Sequence, residues 1–145
     1  MDNAHPDATI VNIRVTLADG SHRYLATTSR NNLKFVTDQG SASTFIPESD
    51  GAKVHYVKDG RYMDVGVGKK LEMRKTREDS WVLTSGINPS GTKYLQKAGS
   101  DLVLGLWTYN GEPDYTVAYG VPLQGGSDDS SKPERLPVAI IPTGN

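Results

Sequence analysis

The sequence predicts an all-β fold, and three observations carry that expectation. Apolar residues come in short bursts separated by Gly, Asp, Asn, Ser and Pro. Where a burst is readable it alternates with period two: Val11, Ile13, Val15 and Leu17 fall on one face of a strand, and Asn12, Arg14 and Thr16 on the wet one. Only 36% of the 145 residues are hydrophobic, while 15 are Gly and 8 are Pro, a composition that serves many turns better than long helices. The pattern amounts to about a dozen short strands, the signature of a barrel or a sandwich.

After the first alternation, Asp19-Gly20 supplies a tight turn and leads into a candidate strand at 23–27, followed by others at 33–37, 44–47 and 53–57. Asp59-Gly60 offers the positive φ angles of the next hairpin, opening a strand at 61–65, and Gly66 and Gly68 do the same before 70–75. Strands at 80–84, 92–97, 102–107 and 114–121 complete the middle of the chain. The segment 124–135 carries Gly125-Gly126-Ser127-Asp128-Asp129-Ser130-Ser131-Lys132-Pro133, which has no large apolar side chain, and it is expected to be a flexible loop. The apolar run 136–141, with Pro137 and Pro142 at its margins, suits a terminal strand that closes the fold.

The length is that of one domain, here residues 1–145. A formal net charge of -1 provides no global field to draw the chain onto nucleic acid or an anionic membrane, so neither partner is expected. The absence of cysteine excludes disulfides, thiolate metal sites and a cysteine nucleophile. Met1-Asp2-Asn3-Ala4-His5-Pro6-Asp7 is polar and acidic and no apolar run is long enough to span a bilayer, so the expected location is cytoplasmic, or outside the cell after release without a classical signal peptide. Asn88-Pro89-Ser90 fails as a glycosylation acceptor because proline fills its middle position.

The chain also repeats itself. Arg23-Tyr24-Leu25, Arg61-Tyr62-Met63 and Lys93-Tyr94-Leu95 share a basic residue, a tyrosine and a large apolar residue. Each is followed by a Leu-led strand beginning at Leu33, Leu71 or Leu102, and then by an aromatic beside aliphatics at Phe45, Trp81 or Tyr115. Such a unit cannot bury its own apolar face, so three of them must share one core. This wording resembles the β-trefoil superfamily, and Arg23-Tyr24-Leu25-Ala26 is most similar to its fascin-like branch. The resemblance implies three four-stranded repeats and a lectin-like or other binding role, with a Greek-key β-sandwich as the alternative fold. The Gln-x-Trp motif of the ricin-type lectins is absent, for Trp81 follows Asp79-Ser80 and Trp107 follows Gly105-Leu106.

Catalysis has little to work with, and no enzyme is expected. His5, His22 and His55 are scattered without metal-ligand spacing, and Asp128-Asp129 lacks the fixed offsets of a calcium loop, so neither metal nor cofactor is expected. Gly66-Val67-Gly68-Lys69-Lys70 lacks the spacing of a phosphate loop. Lys69, Lys70, Arg74, Lys75 and Arg77 form a basic stretch offset by Glu72, Glu78 and Asp79, which reads first as a solvated face and otherwise as a site for an anionic polymer.

The best candidate site is the turn carrying Trp107, Tyr109, Asn110, Glu112 and Asp114. A sugar packs its C–H face on an aromatic ring and pairs its hydroxyls with amides and carboxylates. The bland alternative is that Trp107 and Tyr115 end core strands while Asn110-Gly111 makes the turn. The expected partner is a glycan or glycoprotein bound without metal. A protein partner, cytoskeletal or a protease, docking on the 124–135 loop is the second reading. Shallow sites gain avidity if the chain forms a homo-oligomer.

Overall fold

The computed structural model describes residues 10–85 and 92–143. His5 and the rest of the amino-terminal segment, and the Asn88-Pro89-Ser90 triplet, lie outside the described residues. Regular structure within them is strand, broken by short 3-10 turns at Gln39–Ser41 and Val67–Lys69. The protein is thus all-β, with antiparallel sheets. Among the described residues no helix is long and apolar enough to cross a membrane.

The strands are β1 (Val11–Thr16), β2 (His22–Thr27), β3 (Leu33–Val36), β4 (Ile46–Asp50), β5 (Lys53–Lys58), β6 (Arg61–Val65) and β7 (Leu71–Arg74). They continue as β8 (Trp81–Ser85), β9 (Lys93–Lys97), β10 (Leu102–Tyr109), β11 (Glu112–Pro113), β12 (Tyr119–Pro122), β13 (Ser131–Arg135) and β14 (Val138–Pro142). The alternation in β1 buries Val11, Ile13 and Val15. Asn12, expected on the wet face, is buried as well, because its amide is satisfied from both ends: Nδ2 donates to the Ser43 carbonyl (3.0 Å) and Oδ1 accepts from Gln39 Nε2 (3.0 Å). At the β5–β6 turn Asp59 and Gly60 have φ of 52° and 74°, the left-handed pair that a tight hairpin needs.

One sheet runs β14-β1-β2-β3 and the other β11-β10-β9-β8-β5-β6-β7, with β12 and β13 also on β10 and β4 on β5. The two sheets meet where Val11 and Phe45 exchange both backbone hydrogen bonds (2.9 and 2.8 Å), and again where β9 lies against β14. Neighbour follows neighbour in a circuit: β1, the Phe45 segment leading into β4, β5, β8, β9, β14 and back to β1. Standing off it are the pairs β2–β3, β6–β7 and β10–β12. These touch one another through backbone hydrogen bonds: Met73 N–H donates to the Asn31 carbonyl, Leu71 to Ala118, Ala118 to Leu33 and Phe35 to Tyr115.

The core lies between the circuit and the three pairs. Leu25 and Met63 on β2 and β6, Leu33 and Leu71 on β3 and β7, and Leu104 and Leu106 on β10 are all fully buried. Phe45, Trp81 and Leu136, at the entries to β4, β8 and β14, are fully buried too, and Trp81 Nε1 donates to the Met63 carbonyl (3.1 Å). Tyr24, Tyr62 and Tyr94 are only half-buried, since the alternation gives the inward face to their neighbours Leu25, Met63 and Leu95.

The pairing sets the third tyrosine motif apart from the first two. Tyr24 and Tyr62 lie on β2 and β6, which pair with β3 and β7, whereas Tyr94 lies on β9, which pairs along its length with β8. By pairing, β10 takes the place of β2 and β6, and Leu136 at the entry to β14, not Tyr115, is buried as Phe45 and Trp81 are at the entries to β4 and β8. Two further expectations are corrected. The stretch 114–121 is not one strand, because Asp114 Oδ1 accepts from Thr116 N (3.0 Å) and Oγ1 (2.6 Å) and turns the chain between β11 and β12. Within 124–135 the last five residues form β13, where Pro133 is buried and Arg135 Nε donates to the Pro122 carbonyl (2.6 Å). Ladder bonds to β10 supply what the missing apolar side chains do not.

Candidate functional site

The candidate hairpin is built on β10 and β11. Asn110 and Gly111 hold the turn at φ of 52° and 83°, and Tyr109 pairs directly with Glu112. On its other partner β13, Trp107 faces Pro133, Thr108 faces Lys132 and Tyr109 faces Ser131. Alternation along β10 therefore divides the candidate residues between two faces.

Trp107 and Tyr109 share one face with Glu112. Trp107 is half-buried, and Tyr109 is 42% exposed. Tyr119 belongs to the same group: burial, a hydrogen bond with Tyr109, and the charge of Asp114 push its phenol up to about 12. Asp114 spends one carboxylate oxygen on Thr116 and its backbone N–H on the Trp107 carbonyl (3.0 Å), so its position is set by the turn. Glu112 is exposed. The aromatic that sequence reasoning placed beside them, Tyr115, is covered by the Arg23 guanidinium 3.6 Å above its ring.

Asn110 lies on the other side. With Thr108 and Gly111 it lines a cavity of about 240 Å³ whose far wall is Asp129, Ser130 and Lys132. The loop is fixed there because Asn110 N–H donates to the Ser130 carbonyl (2.8 Å), while Asp128 Oδ1 accepts from the N–H groups of Ser130 (2.9 Å) and Ser131 (2.7 Å). Those bonds hold the Asp128 carboxyl below its ordinary value. Two regions read separately in the sequence, the hairpin and the 124–135 segment, thus stand side by side. Lys132 was missed because its place opposite Thr108 depends on β13, which no apolar pattern announces.

The two histidines among the described residues are apart. His55 is buried, its Nδ1 donating to the Asp79 carbonyl (2.9 Å) and its ring edge-on to Tyr62, while His22 is exposed on β2. In the basic stretch, Arg74 is held by Asp64 (2.9 Å), Glu72 (3.0 Å) and Glu78 (3.9 Å), and Lys69 and Lys70 stand exposed at the 3-10 turn. No protein-family model matches this chain, and no curated protein is significantly similar to it.

Proposed function

We propose that the protein is a non-enzymatic carbohydrate-binding protein, a lectin of β-trefoil architecture that takes a saccharide on the aromatic face of its β10–β11 hairpin without metal. The fold reading draws support from the six-membered circuit of neighbours, from three strand pairs that bond to one another, and from the equivalent buried positions Phe45, Trp81 and Leu136. On this reading β11 and β13 are additions to the third unit. The observation that carries the function is the pairing of Tyr109, 42% exposed, with Glu112 beside the half-buried Trp107. An aromatic surface flanked by acceptors matches a sugar's C–H face and its rim of hydroxyls.

A glycan array with the folded chain tests the reading, followed by calorimetry on the best saccharide. Tyr109→Ala is expected to weaken binding by about tenfold, the loss of one good stacking and hydrogen-bonding contact. Because Trp81 is fully buried, a shift of tryptophan emission on adding the saccharide reports Trp107. No array signal from folded protein, or unchanged affinity in Tyr109→Ala, refutes the assignment. The second reading, a protein-binding module, draws on the fixed loop at Asp128–Ser130 beside the 240 Å³ cavity. It predicts that Asp129→Ala with Lys132→Ala abolishes capture of a protease or of filaments and leaves saccharide binding intact.

A further inference from the structure

A second recognition site is assembled where the β2–β3 turn meets the β6–β7 pair. Arg30, Asn31, Arg61, Glu72, Arg74 and Lys75, over Met73, line a cavity of about 340 Å³. A smaller one of about 60 Å³ shares Asn31, Arg61 and Met73 with it and continues to Thr27, Lys58 and Asp59. The charges in this groove are unevenly matched. Arg74 is spent on Asp64, Glu72 and Glu78, and Lys58 pairs with Asp59 (3.0 Å). No ion pair among the described residues involves Arg30, Arg61 or Lys75.

The backbone forces these cations together. Register in the β6–β7 pair sets Tyr62 opposite Arg74, where β7 ends, and the residues that flank this last pair, Arg61 and Lys75, line the same groove. Cations that line one groove repel one another unless something anionic sits between them. Arg30 is brought in from the neighbouring turn, which is rigid: Thr28 Oγ1 accepts from the N–H groups of Arg30 and Asn32 (3.2 Å each), and the Asn31 carbonyl accepts from Met73 N–H (2.7 Å). The groove thus exists before any ligand arrives, which lowers the cost of binding.

We infer that this groove binds a sugar carrying one sulfate or phosphate ester, the ester held by Arg30, Arg61 and Lys75 and the hydroxyls directed toward Thr27, Asn31 and Asp59. Guanidinium groups present forked donors that match a tetrahedral oxyanion. The Asp59 carboxylate at the far end is neutralised by Lys58 and keeps its other oxygen for hydroxyls, so the groove's unspent positive charge is confined to the end with Arg30, Arg61 and Lys75, which favours a monoester over a polyanion. Nucleic acid fits less well, because none of the lining residues is aromatic and bases would find no stacking surface. The site is independent of the β10–β11 hairpin and stands whether or not that hairpin takes sugar.

The test is titration of the full chain, by calorimetry and amide chemical shifts, with a hexose 6-phosphate, a hexose 6-sulfate, the unesterified hexose and a short single-stranded oligonucleotide. One or both esters are expected to bind with shifts at Asn31, Arg61 and Lys75, and to bind more weakly as salt rises. The tighter ester identifies the natural group. Arg61→Gln is expected to raise Kd by about tenfold or more, and Arg30→Gln, on the exposed turn where the fold does not depend on it, by a smaller but clear factor. Esters that bind no better than the plain hexose, affinity unchanged in Arg30→Gln and Arg61→Gln, or tighter binding of the oligonucleotide would each overturn the proposal.

Discussion

Replacing Arg74 with Met leaves a buried carboxylate without its cation, and the structure sets the size of the effect. The Asp64 side chain is only 2% exposed, and it accepts from Arg74 Nη1 (2.9 Å) and from Val65 N–H (2.7 Å). Breaking a buried pair from one side typically costs about 3–5 kcal/mol. Two features reduce that here. Arg74 is 42% exposed and borders the 340 Å³ groove, so water reaches Asp64 once the guanidinium has gone, and Val65 N–H remains in place. Loss of a charge-assisted bond in such a half-open setting is worth about 2–3 kcal/mol. Glu72 and Glu78 also lose a partner, but at their exposure each pair contributes at most about 1 kcal/mol. For a chain of this size the melting point should fall by about 7–10 °C. Urea denaturation of Arg74→Met, Asp64→Asn and the double variant measures the coupling. In the Asp64→Asn background the Arg74→Met cost should shrink by at least about 1 kcal/mol, since no buried charge remains. A loss below about 0.5 kcal/mol in Arg74→Met alone, or the same loss in both backgrounds, refutes the reasoning.

Other consequences are as direct. Gly105 lies where β12 and β13 both meet β10, and an added Cβ would press on the Glu134 carbonyl oxygen and come within 2.5 Å of Val121 Cγ2; Gly105→Ala should destabilise by about 3 kcal/mol, and an unchanged melting point would contradict that packing. Burial raises Tyr56 and Tyr119 from 10.0 to about 12, so the folded state favours their neutral forms; that stability is complete below pH 10 and is lost as pH rises toward 12. An absorbance titration should show Tyr56 and Tyr119 ionising near pH 12, and their ionisation near pH 10 would contradict the shift. Asp128 has its carboxyl held below 3.8, so the loop order it provides is present at neutral pH and is lost as pH falls through the lowered value. Asp128→Ala should speed amide exchange at Ser130 and Ser131 at pH 7, while slow exchange there would show that the loop is held by other bonds.

Much of the fold was legible because local alternation and turn chemistry decide it. Val11, Ile13 and Val15 are inside as the period-two pattern requires, and Asp59-Gly60 makes its hairpin. What escaped was whatever depends on a distant partner. Asn12 reads as solvent-facing until Ser43 and Gln39 arrive to satisfy it. Ser131–Arg135 reads as loop because its strand is held by hydrogen bonds to β10, and hydrogen bonds leave no mark on hydropathy. Tyr94-Leu95 looks like a repeat of Tyr24-Leu25 by wording, yet β9 pairs with β8, so similarity of residues did not guarantee similarity of place. In the hairpin site, residue types were readable and their faces were not. Alternation separates Asn110 from Trp107 and Tyr109, and the loop that walls its cavity comes from twenty residues further on.

By itself the sequence determined the all-β class, the Asp-Gly hairpin turns and the alternating apolar residues of the first strand, because these follow from periods of two and from the few residues that tolerate positive φ. Only the tertiary structure decided which charges are spent and which are free. Arg74, Lys75, Arg61 and Arg30 are alike as letters. Ladder register and a neighbouring turn lock the first among carboxylates and gather the other three around an open groove, since Coulomb forces act through space and take no account of order along the chain.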